Sequence, residues 1–364
     1  MQTQIKHYWR IRYSLIIFKT FFLIFLIFIF LKSGISERIY LNVLNFSSSR
    51  IALIAIYLAI IYFLYSIIFF PLDLYFSFIL ERRFLLSSQK FFDWFVDKIK
   101  SDILFYLFSL IFVEFFYFFL RLSPQNWWML ICGFWIFFAL LISKIAPVFL
   151  VPLFFKYKKL SDEELRKCIF LLAERMKIKI LDVYEIDFSR KTNKANAAFL
   201  GIGKTKRMVL SDTLRGKYNL EEIKVILAHE LSHYRLGHLF KLLGMEALFI
   251  IFSFYLIFIS CGYFLKKFGF TSLEEIASLP LVFLYLIVLE IFFTPLKNFV
   301  SRFFERQADR LAIEIIQAKG PFISLMEKLA KQNFTDTSPH PLIKFFFFDH
   351  PPIEERIRRA KDYI

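Results

Sequence analysis

Six apolar runs, each about 20 residues long, decide what this chain can fold into, because that is the length of helix needed to cross a hydrocarbon core of about 30 Å. They span Tyr13–Leu31, Ile51–Leu72, Ile103–Leu120, Trp127–Val151, Leu242–Leu265 and Leu279–Leu296. Soluble domains are roughly 45–50% apolar. This chain is 58% hydrophobic, with 52 Phe, and the excess sits in those runs. The fold class expected is mainly α: a multi-pass helical membrane protein of about six to seven spans. The first run follows Lys6, Arg10 and Arg12, is long for a signal peptide and lacks a small-residue cleavage site, so it reads as a retained span. A further segment, Leu74–Trp94, is amphipathic and reads as an interfacial helix.

Positive charge sets the orientation. Lys and Arg number three in residues 1–12, two in 33–50, five in 73–101, none in 122–126, two in 266–278 and eleven in 301–364. Rich and poor segments alternate as six spans require, placing both termini and the segment after the fourth span in the cytoplasm. In a prokaryote the membrane would be the inner, cell membrane. The net charge of +16 is thereby assigned to orientation and anionic lipid, and no nucleic-acid motif accompanies it. Cys132, Cys168 and Cys261 form no C-x-x-C pair and read as reduced structural residues.

Four segments follow: spans one to four (1–155), a hydrophilic segment (156–241), spans five and six (242–300), and a tail (301–364). The hydrophilic segment opens with a capping box at Ser161–Glu164 and an amphipathic helix. A β-rich stretch, Ile178–Leu210, follows, and Asn196–Leu210 reads as a hairpin turning near Gly203-Lys204. A second capping box, Asn219–Glu222, starts a helix that continues toward the fifth span.

That helix carries Ala228-His229-Glu230-Leu231-Ser232-His233. Residues four apart share a helix face, so His229 and His233 can reach one metal with Glu230 beside it. This is the H-E-x-x-H arrangement of zinc peptidases, in which the two His bind Zn²⁺ and the Glu acts as base on a water whose pKa the metal lowers to about 7. Three protein ligands make a catalytic zinc site. His238 lies five residues after His233, on a different face of a continuous helix, and reads as a supporting or structural residue. The best third ligand is Glu305 in Arg302-Phe-Phe-Glu305-Arg-Gln-Ala-Asp309, with Asp309 placed to hydrogen-bond a ligand imidazole. Two spans separate His233 from Glu305, and an even number returns the chain to the same side. Glu114, Glu246 and Glu290 fall within spans, where acids rarely face lipid.

Several strings resemble the type I CAAX prenyl endopeptidases, a family of integral membrane zinc metalloproteases. They are Glu81–Lys100, Ala146–Lys156, Asn196-Ala-Ala-Phe, Arg207–Thr213, His229–His238, Asn298–Asp309 and His350-Pro-Pro-Ile-Glu-Glu-Arg356, and they cover roughly residues 73–364. The resemblance implies one zinc ion held by His229, His233 and Glu305, with Glu230 as general base. It implies that Asn196 and Ala197 belong to an edge strand that pairs with the substrate backbone. It groups Asn298, Arg302, Asp309 and His238 as supports of the ligands, and makes His350 or Arg356 the donor to the oxyanion. For His350 the alternative is a structural role at the entry to a helix after Pro351-Pro352. The substrate implied is a peptide or protein, prenylated or membrane-embedded. Two other functions fit parts of the pattern: a heat-shock type quality-control protease with the same zinc site, and a transporter or scaffold with a vestigial metal site.

Overall fold

The computed structural model describes residues 2–201 and 206–362. Its backbone is mainly helical. Six helical stretches are long and apolar enough to cross a membrane: Gln2–Lys32, Arg50–Arg83, Phe91–Leu122, Trp127–Phe154, His238–Lys267 and Ile276–Ile316. They contain α1 (Gln2–Lys32), α3 (Arg50–Leu74), α5 (Phe91–Leu122), α6 (Trp127–Ile145), α10 (His238–Lys267) and α11 (Leu279–Ile316). Between the first two lies α2 (Ile35–Leu44), whose 10 residues reach only about 15 Å and cannot span.

The interfacial helix expected at Leu74–Trp94 does not form as a separate element. Instead α3 passes through a π-helical turn (Tyr75–Ile79) directly into α4 (Leu80–Arg83). The chain then reverses at Leu85, which adopts a left-handed φ of 58°, and α5 starts at Phe91. The apolar face that suggested an interfacial helix is thus divided between the ends of two spans. A second π-helical turn (Ala146–Leu150) holds Pro147 and joins α6 to α7 (Val151–Phe154). Proline removes a helical hydrogen bond, and a wider turn absorbs the loss.

The segment after α7 forms a sheet ordered β1-β2-β4-β3, built from β1 (Tyr157–Lys159), β2 (Asp182–Ile186), β3 (Ala197–Leu200) and β4 (Arg207–Ser211). The expected pairing of β3 with β4 is antiparallel, Ala197 opposite Leu210. The turn placed near Gly203-Lys204 lies outside the described residues. The sheet also holds a pairing that alternation could not suggest: β2 runs parallel to β4. One core joins this sheet to α8 (Glu163–Arg175), α9 (Leu220–Arg235), the end of α11, α12 (Lys319–Gln332) and α14 (Ile353–Asp362). A short α13 (Pro341–Phe347) lies between α12 and α14. Where α9 meets α11, Ala228 of α9 and Ala308 and Ala312 of α11 are fully buried. Such small residues let two helix backbones approach closely. Both helix starts fall where expected, but only Asn219 and Glu222 form a reciprocal capping box; at α8 Asp162 accepts from Leu165 N–H, and the box expected over Ser161–Glu164 does not form. Asp162, not Ser161, is the first cap.

Candidate metal centre

Helix α9 projects His229 and His233 toward α11, one turn apart, and α11 presents Glu305 between them. His229 Nε2 and His233 Nε2 are 3.2 Å apart. Glu305 places Oε2 3.3 Å from His229 Nε2 and Oε1 3.1 Å from His233 Nε2. Ligands 2.0–2.1 Å from a tetrahedral metal stand about 3.3 Å from one another. The three side chains therefore converge on one point at the spacing a metal ion requires. Glu305 Oε2 is buried without a hydrogen-bond partner, an oxygen that a cation would satisfy. Burial disfavours a charged His229, yet Asp309 and Glu305 overcome it and raise its pKa to about 10, so this pocket favours positive charge.

The layer behind these three side chains is built from α10, α11 and α14. Asp309 Oδ1 lies 2.9 Å from His229 Nδ1, a close charge contact in which the ring N–H does not point straight at the oxygen. Arg356, on α14, donates to both oxygens of Asp309, with Nε–Oδ2 at 2.8 Å. His238 Nδ1 lies 3.0 Å from His233 Nδ1, and His238 Nε2 lies 3.1 Å from Gln307 Oε1. An amide oxygen only accepts, so His238 carries its proton on Nε2 and accepts from His233 Nδ1–H. That leaves His233 Nε2 free for a metal. His238 is buried and stacked on Phe304, centroids 4.5 Å apart.

His238 reaches His233 because the helix does not continue. Gly237 adopts φ 68°, ends α9 and starts α10, and this turn brings His238 back onto the first helix. The different face assigned to His238 holds only for an unbroken helix. Gln307 was not singled out by sequence. Its one signal is an uncharged polar residue between Glu305 and Asp309.

Asn298 and Arg302 do not bond to His229, His233 or Glu305. They hold the tail instead. Asn298 Nδ2 donates to Phe346 O at 2.8 Å, and Arg302 donates to Lys344 O at 3.1 Å and to Phe348 O. These bonds fix the chain just before Asp349 and His350. His350 Nε2 then lies 3.3 Å from Glu305 Oε1, and its Nδ1 lies 2.8 Å from Asp349. Its partial burial opposes charge, but Asp349 and Glu305 raise its pKa. Pro351 and Pro352 are buried and lead into α14. Of the intramembrane acids, Glu246 and Glu290 both pair with Lys297, at 2.9 and 2.8 Å.

Glu230 points from α9 into a cavity of about 360 Å³ whose walls include Pro147, Val151, Phe199, Leu200 and Leu242, with His233 beside it. Burial raises the Glu230 pKa, while His229 and His233 oppose the rise. On one side of this region runs β3, the end strand of the sheet. Ser211 N–H donates to Asn196 O at 2.9 Å, which makes Asn196 and Ser211 a hydrogen-bonded pair. By alternation, Ala197 and Phe199 turn their backbone groups to the open edge. Asn196 itself faces β4.

The profile of peptidase family M48 matches residues 159–364. The chain belongs to that family. Residues 3–156 of this M48 peptidase match a second profile, the CAAX prenyl protease N-terminal region with five membrane helices. Four stretches in that range are long and apolar enough to span. A Bacillus subtilis relative described as an uncharacterized metalloprotease, YhfN, is 30% identical over 346 residues, 93% of this chain and 80% of the relative. CAAX prenyl protease 1 of Saccharomyces cerevisiae is 29% identical, over 87% of this chain and 73% of that protein. The crystal structure of S. mikatae Ste24p superposes with a TM-score of 0.88 at 25% identity, covering all of this chain and 89% of that one. The protein is a multi-pass membrane metalloendopeptidase, and its family implies a bound metal ion.

Proposed function

We propose that this M48 peptidase is a zinc endopeptidase of the CAAX-processing type, with its catalytic segment and both termini on the cytoplasmic side. The observation that carries the reading is the triangle of His229 Nε2, His233 Nε2 and Glu305, with edges of 3.1–3.3 Å. Two imidazoles and one carboxylate are a hydrolytic zinc donor set. Zinc held there would supply Lewis acidity, drawing charge from a scissile carbonyl and making water acidic enough to ionise near neutral pH. Glu230 accepts the proton of the attacking water and returns it to the leaving amine. His350 Nε2–H donates to the oxyanion that develops at the carbonyl. Arg356 has two donors committed to Asp309, so its part is to hold Asp309 against His229. The substrate lies as an added strand along Ala197 and Phe199. One apolar side chain next to the cut bond fills the cavity beside Glu230.

Prenylated substrates are proposed from the CAAX prenyl proteases among the relatives. One observation favours a second reading, general proteolysis of membrane proteins: four helices long and apolar enough to span, rather than five, precede the catalytic segment. The test is cleavage of one CaaX-ended peptide, farnesylated and unmodified, by detergent-purified wild type and Glu230→Gln. Faster cleavage of the farnesylated form, absent in the variant, supports CAAX processing. Equal cleavage of both forms supports the general protease. Turnover retained in Glu230→Gln would overturn the mechanism.

A further inference from the structure

The helix α13 carries an apolar surface that the chemistry does not use. Leu342, Phe345 and Phe346 are 64%, 48% and 39% exposed. Its lone charge, Lys344, is drawn aside to Glu355 at 2.6 Å, so the outward face carries no free charge. In a water-soluble tail such a face would be costly.

Two contacts fix where this helix sits relative to the bilayer. The Phe347 ring is 5.3 Å from Tyr13, the residue at which the first apolar run begins. Phe346 O accepts from Asn298, two residues past Leu296, where the last apolar run ends. Both neighbours are thus at the same edge of the membrane, on the metal-site side. An exposed apolar stripe of α11 also continues to this level. Phe292, Leu296, Phe299 and Phe303 recur at helical spacing and are all exposed, and the last two lie beyond the charged Lys297.

We infer that α13 docks into the membrane interface, with Leu342, Phe345 and Phe346 at the boundary between headgroups and acyl chains. The occupant of this surface is lipid, because the surface continues the exposed apolar stripe of α11, whose first part lies within a helix long and apolar enough to span. Aromatic residues favour that boundary. The inference rests on the membrane-spanning fold and not on the proposed chemistry. It has a bearing on that chemistry, because α13 runs directly into the residues that Arg302 fixes before His350. The bilayer then supports the loop that holds His350 over Glu305.

The test uses the full chain in nanodiscs of phosphatidylcholine and phosphatidylglycerol. A bimane probe is placed on Phe346→Cys, on Leu342→Cys, and on Arg358→Cys of α14 as an aqueous reference. Unmutated protein, carrying its three native cysteines, is labelled in parallel as background. Zinc content reports that each variant is folded. Nitroxide lipid labelled near the headgroup should remove most of the fluorescence at 346 and 342 and little at 358. An aqueous iodide quencher should do the reverse. Iodide quenching at 346 and 342 equal to that at 358 overturns the inference. Protection of both sites from either quencher also overturns it, in favour of a second copy or a protein partner.

Discussion

Arg356 grips Asp309 through two parallel hydrogen bonds, and Asp309 lies against the far nitrogen of His229. A paired guanidinium fork keeps this buried carboxylate charged and fixed. Arg356→Met should therefore weaken zinc binding by about 10- to 100-fold, the usual cost of losing a support behind a metal ligand. Competition with a chelator of known affinity measures it. Unchanged zinc affinity would show that Asp309 needs no partner. Arg356→Lys keeps the charge but not the fork, and should recover only part of the loss.

Gln307 should act on the other histidine. Gln307→Leu removes the acceptor that fixes the His238 tautomer, and His233 loses a defined partner at Nδ1. A loss of about tenfold or more in zinc affinity is expected. Gln307→Glu keeps an acceptor at the same place and should restore it. The visible spectrum of the cobalt-substituted protein should shift in the Leu variant and not in the Glu variant.

The β3 edge can be tested by proline. Ala197 turns its N–H to the open side, so Ala197→Pro spares the β3–β4 ladder. It should raise KM for peptide while leaving zinc content and thermal stability near those of wild type. Ala198 faces β4, opposite Val209, and Ala198→Pro should instead lower stability. If both variants bind peptide normally, the substrate does not lie along this strand.

The raised pKa of Glu230 sets a pH dependence. A general base works only when ionised, so kcat/KM falls as pH drops through its pKa. Because burial lifts that pKa above the ordinary 4.5, the acid limb should lie above pH 4.5. A profile flat from pH 7 down to 4.5, with zinc retained, would remove Glu230 from the role of base.

How much of this was legible in sequence follows from the range of each interaction. His229, Glu230 and His233 are local, and the helical period alone puts them together. Glu305 could be chosen because counting spans returned it to the right side. The β3–β4 pair is also local. The β2–β4 pairing is not, since parallel strands need a long crossover that leaves no alternating signature. His238 could not be placed, because a single backbone angle at Gly237 decides whether it faces His233. Leu74–Trp94 was misread because a π-turn and the left-handed Leu85 are invisible to periodicity. The grip of Arg356 on Asp309 and the hold of Asn298 and Arg302 on the tail join residues more than forty apart, where residue type gives no partner.

α11 is one unbroken rod from the membrane to the metal site. Glu305 lies nine positions beyond Leu296, where the last apolar run ends, a rise of about 13.5 Å. The protein thus carries its own depth gauge. If the site cuts as proposed, any chain anchored in the same bilayer would meet it at a set height, so how far a bond stands from its anchor would decide, as much as which side chains flank it, whether it is cut.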